Sequence, residues 1–147
     1  KLAFSDFTDG ALENFGLDVN YTRAPSDSND TGLNGEALPF PDNSEEQYNI
    51  VGWYQDDKLQ ARLAYNYRSD RYMGPAGGGV SGFQDGIGYL DAQLSYSIND
   101  DVTAFINGSN ITGEMEQYYL DFGNGPEQFL KSNEFEARYT VGIRAKF

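Results

Sequence analysis

The chain has 147 residues, 39% of them hydrophobic and 15% aromatic, with 17 Gly, 5 Pro and neither Cys nor His. That length suffices for one domain with a real core, and the missing thiols and imidazoles exclude disulfide frameworks, CxxC redox sites, Cys/His zinc sites and His-based triads. Ten Lys and Arg against 23 Asp and Glu give a net charge of −13, which repels phosphate backbones, so no nucleic acid is expected as a partner.

Almost no helical period is found, and alternation of two recurs along the chain. Phe15, Leu17, Val19 and Tyr21 alternate with Gly16, Asp18, Asn20 and Thr22. A less clean strand covers roughly 47–55. Leu59, Ala61, Leu63, Tyr65 and Tyr67 alternate with Gln60, Arg62, Ala64, Asn66 and Arg68. Leu90, Ala92, Leu94, Tyr96 and Ile98 alternate with Asp91, Gln93, Ser95 and Ser97, and a second less clean strand spans roughly 102–111. At the end, Phe135, Ala137, Tyr139, Val141, Ile143, Ala145 and Phe147 interleave with Glu136, Arg138, Thr140, Gly142, Arg144 and Lys146. These runs approach the 9–11 residues that a tilted strand needs to cross a bilayer.

The connections fall into two lengths. Gln55-Asp56-Asp57-Lys58 and Asn99-Asp100-Asp101 are tight hairpin turns rich in Asp and Asn. The others, roughly 25–45, 73–87 and 112–132, read as long loops, the first two rich in Gly, Pro, Ser, Asp and Asn. Tight and long connections alternate after residue 14, the layout of a meander whose two ends differ. No run approaches 18 consecutive apolar residues, which excludes a transmembrane helix but not a membrane barrel, whose strands are apolar on one face only. Alternation by itself also fits a soluble sandwich with a Tyr-rich core. Aromatics on the apolar faces near strand ends, among them Tyr65, Tyr67, Tyr96, Tyr139 and Phe147, match an interfacial girdle. The start at Lys1, without an initiator Met or a signal peptide, points to a mature product or a piece of a longer protein.

The ending Arg138-Tyr139-Thr140-Val141-Gly142-Ile143-Arg144-Ala145-Lys146-Phe147 resembles the last strand of bacterial outer-membrane proteins. More narrowly, the chain resembles the C-terminal portion of a TonB-dependent receptor. The matching segments run in order from Phe15-Gly16-Leu17-Asp18-Val19-Asn20-Tyr21-Thr22 through Tyr48-Asn49-Ile50-Val51-Gly52-Trp53-Tyr54 to Ala61-Arg62-Leu63-Ala64-Tyr65-Asn66-Tyr67-Arg68. Tyr89-Leu90-Asp91-Ala92 and Ser109-Asn110-Ile111-Thr112 follow, the latter in the place of the family's Asn-Leu-Thr element. The resemblance covers about residues 12 to 147.

That resemblance implies an all-β, antiparallel transmembrane β-barrel segment: the last six to seven strands of a 22-stranded barrel, in one barrel domain over residues 1–147. It implies a plug domain, earlier strands and a TonB-engaging segment outside this sequence, since so few tilted strands cannot close and an open edge in lipid leaves backbone groups unsatisfied. Location in the bacterial outer membrane is implied too. The implied partners are the TonB complex, the plug of the same protein, outer-membrane lipid, a scarce small-molecule ligand and the barrel-assembly machinery, which reads the closing strand at Tyr139, Val141, Ile143 and Phe147.

Alternation would turn Arg62, Asn66, Arg68, Asp91, Arg138 and Arg144 toward the lumen and plug, among other polar residues of the same phase. Candidate ligand contacts are the loop aromatics Phe40, Tyr72, Phe83, Tyr118, Tyr119, Phe122 and Phe129, which could stack on sugar rings or equally pack the loops together. The acidic, His-free composition and a closing segment closer to the carbohydrate-linked receptors favour an oligosaccharide over an anionic metal–siderophore. No residue is assigned a catalytic role; chance carboxylate pairs are expected among 23 acids, and none stands out for a glycosidase. Gly77-Gly78-Gly79-Val80-Ser81-Gly82 matches GxGxxG, but without a βαβ unit it reads as a flexible outer loop. Asp27, Asp30, Glu36, Asp42, Glu45 and Glu46 offer oxygen ligands for Ca²⁺ at no EF-hand spacing, so a solvated acidic loop is expected and no cofactor is assigned. The alternatives to an active importer are a passive porin-like channel and a soluble β-sandwich binding module.

Overall fold

The computed structural model describes residues 2–7, 10 and 12–146. The protein is all-β, and its strands are β1 (Leu2–Ala3), β2 (Phe15–Arg23), β3 (Glu46–Gln55), β4 (Leu59–Arg68), β5 (Arg71–Gly77), β6 (Val80–Gln84), β7 (Ile87–Ser97), β8 (Val102–Ser109), β9 (Met115–Asp121), β10 (Gln128–Glu134) and β11 (Arg138–Ala145). The only helical element among the described residues is a 3₁₀ turn over Phe4–Asp6. A seven-stranded antiparallel sheet runs in the order β1-β2-β3-β4-β7-β8-β11, and a four-stranded one in the order β10-β9-β6-β5.

The six alternating runs appear as β2, β3, β4, β7, β8 and β11. The segment before them is shorter than expected: only Leu2 and Ala3 pair, with Leu17 and Gly16. Side-chain caps set the tight turns. Asp56 Oδ1 accepts the backbone N–H groups of Lys58 and Leu59 at 2.8 and 2.7 Å, and Asn99 Oδ1 accepts those of Asp101 and Val102 at 3.0 and 2.9 Å.

Two of the three long connections are not loops. Residues 71–84 form the β5–β6 hairpin, turned by Gly77, Gly78 and Gly79 at positive φ (98°, 62° and 82°), and residues 115–134 form the β9–β10 hairpin. The glycine-rich run is therefore a tight hairpin turn rather than a flexible loop. Alternation did not reveal these strands for a physical reason. Tyr118 and Tyr119 are adjacent aromatics on opposite faces of β9, one buried and one half-buried, and register shifts after Tyr72 and Pro75 and between Phe129 and Lys131 break the period. Chain order makes β5 follow β4, β6 lead into β7, β9 follow β8 and β10 lead into β11. The order β5-β6-β9-β10 thus repeats β4-β7-β8-β11, and the small sheet prolongs the wall of the large one.

Register brings the apolar phases of successive strands onto one face. Val19 lies opposite Ile50 and Ile50 opposite Tyr65; Leu63 lies opposite Ala92; Leu94, Ile106 and Val141 form one row. This face is open: Leu63 is 54% exposed, Val141 75% and Ile143 71%. On the opposite, polar face, Val51 and Ala64 keep only 5% and 4%. The small sheet does not cover the apolar face of the large one as a sandwich layer would. Most of the fully buried side chains, Leu38, Tyr72, Gln84 and Tyr118 among them, gather instead at the end with the long connections.

Aromatics bracket the apolar face. Tyr21, Tyr48 and Tyr67 share a row at the long-connection end, where the rings of Tyr48 and Tyr67 stack at 4.7 Å. Phe15 and Tyr54 pair edge-to-face at 4.8 Å at the tight-turn end. Two glycines are dictated by aromatics from the facing strand: the Trp53 ring occupies the space a Cβ at Gly16 would need, and the Phe105 ring does the same at Gly142.

Candidate functional site

The polar face of the large sheet is built in rows. Gly16, Trp53, Arg62, Gln93, Asn107 and Thr140 stand in register across β2, β3, β4, β7, β8 and β11. Asn20, Asn49, Asn66 and Tyr89 make a second row, in which Asn49 Nδ2 donates to Asn66 Oδ1. Thr22, Gln47, Arg68 and Ile87 make a third. Carboxamides and hydroxyls dominate. Within these strands two acids, Asp18 and Asp91, face four arginines, Arg62, Arg68, Arg138 and Arg144, which gives this face a formal +2 in a chain of −13. The remaining acids sit mainly in turns, long connections and the small sheet, so composition alone misjudges the charge of this face.

The polar face continues into the small sheet through Glu116. Arg68 Nη2 stands 3.6 Å from Glu116 Oε1, and Tyr89 Oη donates to the same oxygen at 3.4 Å. Glu116 Oε2 accepts from Tyr118 Oη at 2.9 Å and from Asn133 Nδ2 at 3.2 Å. Burial pushes the Glu116 carboxyl up, but the bonds from Asn133 and Tyr118 and the Arg68 charge outweigh it and hold the carboxyl below its ordinary value. Burial, then the bond to Glu116, pushes the Tyr118 phenol up. Lys131 Nζ lies 4.5 Å from the Tyr118 ring centre. Arg71 Nε donates to the buried Gln84 Oε1 at 2.8 Å, and Arg71 Nη1 stands 3.4 Å from Asp42.

At the junction of the sheets, Asn110 holds a positive φ of 49° and its side chain ties three segments together. Its Nδ2 donates to the Glu114 and Phe135 carbonyls at 3.0 and 2.6 Å, and its Oδ1 accepts the Glu114 N–H at 2.9 Å. Its own N–H is accepted by Asp91 Oδ1 at 2.9 Å. The Asn of the Asn-Ile-Thr segment is therefore a corner residue.

Arg62, Asn66, Arg68, Asp91, Arg138 and Arg144 share the polar face; Asp91 and Arg68 are engaged as described, and Arg138 and Arg144 are exposed. Tyr139, Val141 and Ile143 share the exposed apolar face, and Phe147 lies outside the described residues. Four of the seven loop aromatics, Tyr72, Phe83, Tyr119 and Phe129, stand in one row across the small sheet. Phe83 stacks on Tyr119 at 5.4 Å and meets Tyr72 at 5.5 Å. Burial and the charge of Asp30 raise the Tyr72 phenol; burial, then Glu127, Asp70, Asp85 and Asp121, raise that of Tyr119.

The row lies on the side of the small sheet away from Tyr118 and Gln84. The 24–45 connection reaches over to it, its Asp42 N–H donating to the Tyr72 carbonyl at 2.7 Å and its Asn34 Nδ2 to the Gly123 carbonyl at 2.7 Å. Tyr72 and Phe83 thus pack connections together, whereas Phe40, Phe122 and Phe129 stay exposed and apart from that contact.

Three of the acids offered as Ca²⁺ ligands are drawn to separate partners: Glu45 to Arg23 at 2.7 Å, Asp42 to Arg71, and Glu46, the first residue of β3, to Tyr21 Oη at 3.0 Å. Among the described residues no group of three acids converges in a metal-binding arrangement. Reading by period missed Glu116, Gln84 and Arg71, whose partners are distant in sequence. It also missed Trp53, although counting by two from Asn49 puts it in the polar phase. Compared with protein-family models, curated proteins and solved structures, the chain matches none.

Proposed function

We propose that this chain is part of the wall of an outer-membrane β-barrel that serves as a TonB-coupled importer, with a neutral oligosaccharide as its cargo. One observation carries the membrane part of the reading: the apolar phases of six strands register onto a single face that no other layer covers, bracketed by aromatics, while the opposite face is polar. In water such a face would be an aggregation hazard; against acyl chains it is at its lowest free energy. Among the described residues the outer edge of β11 is unpaired, and a larger barrel supplies further strands for it.

Active transport rests on the resemblance of the ordered segments to TonB-dependent receptors. The cargo class rests on charge and chemistry. Acidic connections at one end disfavour anions, and the face beyond them, with its formal +2, is lined mainly by carboxamides and hydroxyls suited to sugar hydroxyls.

The test uses the full-length protein in its native membrane. Uptake of radiolabelled maltotriose, cellotriose and xylotriose is followed with and without a functional TonB complex, with ferric citrate as the anionic comparator. The reading predicts uptake of at least one trisaccharide that stops without TonB. TonB-independent uptake would instead identify a passive channel, and recovery of the protein without detergent in the soluble fraction would refute the membrane reading.

A further inference from the structure

Asparagine followed by glycine occurs three times, at Asn34-Gly35, Asn107-Gly108 and Asn124-Gly125. The fold holds the three pairs differently. Asn34 Nδ2 donates to the Gly123 carbonyl at 2.7 Å, its own N–H to Glu36 Oε2 at 3.0 Å, and the Gly35 N–H to the Gly32 carbonyl at 3.0 Å. Asn107 lies inside β8, where Gly108 is buried in register between Ala92 of β7 and Tyr139 of β11. Asn124 and Gly125 sit in the turn between β9 and β10, and both are exposed. The Asn124 N–H donates to the Phe122 carbonyl at 2.8 Å, but among the described residues neither its side chain nor the Gly125 N–H has a hydrogen-bond partner.

That freedom matters for one reaction of the asparagine side chain. When the N–H of the next residue gives its proton to hydroxide, its nitrogen can attack the Asn Cγ. A C–N bond closes a five-membered imide, and the side-chain nitrogen leaves as ammonia, taking a proton from water. Water then opens the imide at either carbonyl, leaving aspartate or, with the main chain rerouted through Cγ, isoaspartate. The sum is amide and water to acid and ammonia, with no oxidant and no other reactant. Glycine permits the attack because no Cβ shields its nitrogen and its backbone turns freely. Inside β8 the extended backbone and the ladders keep the reacting atoms apart, and at Asn34 the bonds from its amide and from the Gly35 N–H must open first. We infer that Asn124 is a site of spontaneous deamidation, which the fold leaves reactive while it protects Asn34 and Asn107. Either product adds a carboxylate between Asp121 and Glu127 in sequence, and isoaspartate lengthens the turn beside the Gly123 carbonyl that ties down the 24–45 connection.

The experiment incubates the purified full-length protein in detergent micelles at neutral and at mildly alkaline pH, then digests it and reads each Asn-Gly peptide by mass spectrometry, with isoaspartyl forms separated by chromatography. The folded parent should accumulate aspartate and isoaspartate at Asn124, at a rate that rises with hydroxide. That rate should exceed those at Asn34 and Asn107 by about tenfold or more, the scale of the hydrogen bonds those sites must first give up. In denaturant the three sites should converge, because the fold alone separates them. Gly125→Ala puts its methyl into open space at a residue without positive φ, so the fold is kept and the reaction at Asn124 should slow severalfold. No product at Asn124, equal rates at Asn34 and Asn124 in the folded protein, the same preference persisting in denaturant, or Gly125→Ala reacting like the parent would each overturn the assignment.

Discussion

Asp91 of β7 accepts the backbone N–H of Asn110 at 2.9 Å, and with that one bond fixes the corner where β8 leaves the large sheet for β9. Asn110 in turn holds the Glu114 and Phe135 carbonyls, so the corner binds both segments that join the two sheets at β8 and β11.

Replacement of Asn110 therefore costs three side-chain bonds and a tolerated positive φ. Asn110→Ala is expected to destabilise by about 2–4 kcal/mol. Asn110→Gly, which keeps the backbone conformation and loses only the amide, should cost less. Denaturant midpoints of the purified protein in micelles check the order; equal losses would show that the amide alone matters.

Gly16→Ala and Gly142→Ala introduce a methyl where the Trp53 and Phe105 rings lie. Each is expected to cost about 1–3 kcal/mol as the ring is displaced. Gly52→Ala, where open space surrounds the new methyl, is the neutral comparison. A Gly16→Ala variant as stable as Gly52→Ala would mean that the indole moves away freely.

Leu94 and Gln93 are adjacent in sequence and face opposite sides. Leu94→Arg should destabilise the inserted protein by about 2–4 kcal/mol if it lies mid-membrane, while Gln93→Arg, on the amide-lined face, should change little. Yield of folded protein in the outer membrane, judged by heat-dependent electrophoretic mobility, separates the two.

The Glu116 carboxyl titrates below its ordinary value of 4.5 in the folded protein, so its contribution is complete above that value. It is lost as pH falls through the lowered folded value. The stability difference between the parent and Glu116→Gln should thus be constant near neutrality and shrink on acidification below the ordinary carboxylate range. Denaturant midpoints from pH 7 to pH 3 measure it. A difference that grows toward acid would assign Glu116 the opposite role.

Strands with one bare face announced themselves in the sequence: Val19, Leu63, Leu94 and Val141 face outward in their rows, so their polar neighbours stand out by contrast. Strands of the small sheet did not. Tyr118 points toward Glu116 and Lys131, Tyr119 stacks on Phe83, and the two together erase the period that would have marked β9. The polar face was legible as a phase, though Trp53 was not assigned to it, and composition alone hid its charge. The acids that dominate composition lie mostly elsewhere, and register aligns the two that alternation puts on this face, Asp18 and Asp91, with the strands that carry its arginines. The Glu116 cluster joins Arg68, Tyr89 and Asn133 across long sequence separations that no spacing rule encodes.

The central claim is that the face of Leu63, Leu94 and Val141 meets lipid. This chain has no cysteine, so single cysteines at residues 91 to 96 of the full-length protein, reconstituted in bilayers, can each carry a nitroxide label. The account predicts a period of two: labels at Ala92, Leu94 and Tyr96 collide with oxygen dissolved in the lipid, and those at Asp91, Gln93 and Ser95 collide with a water-soluble nickel complex. Labels at all six positions that collide with the nickel complex alone would contradict it.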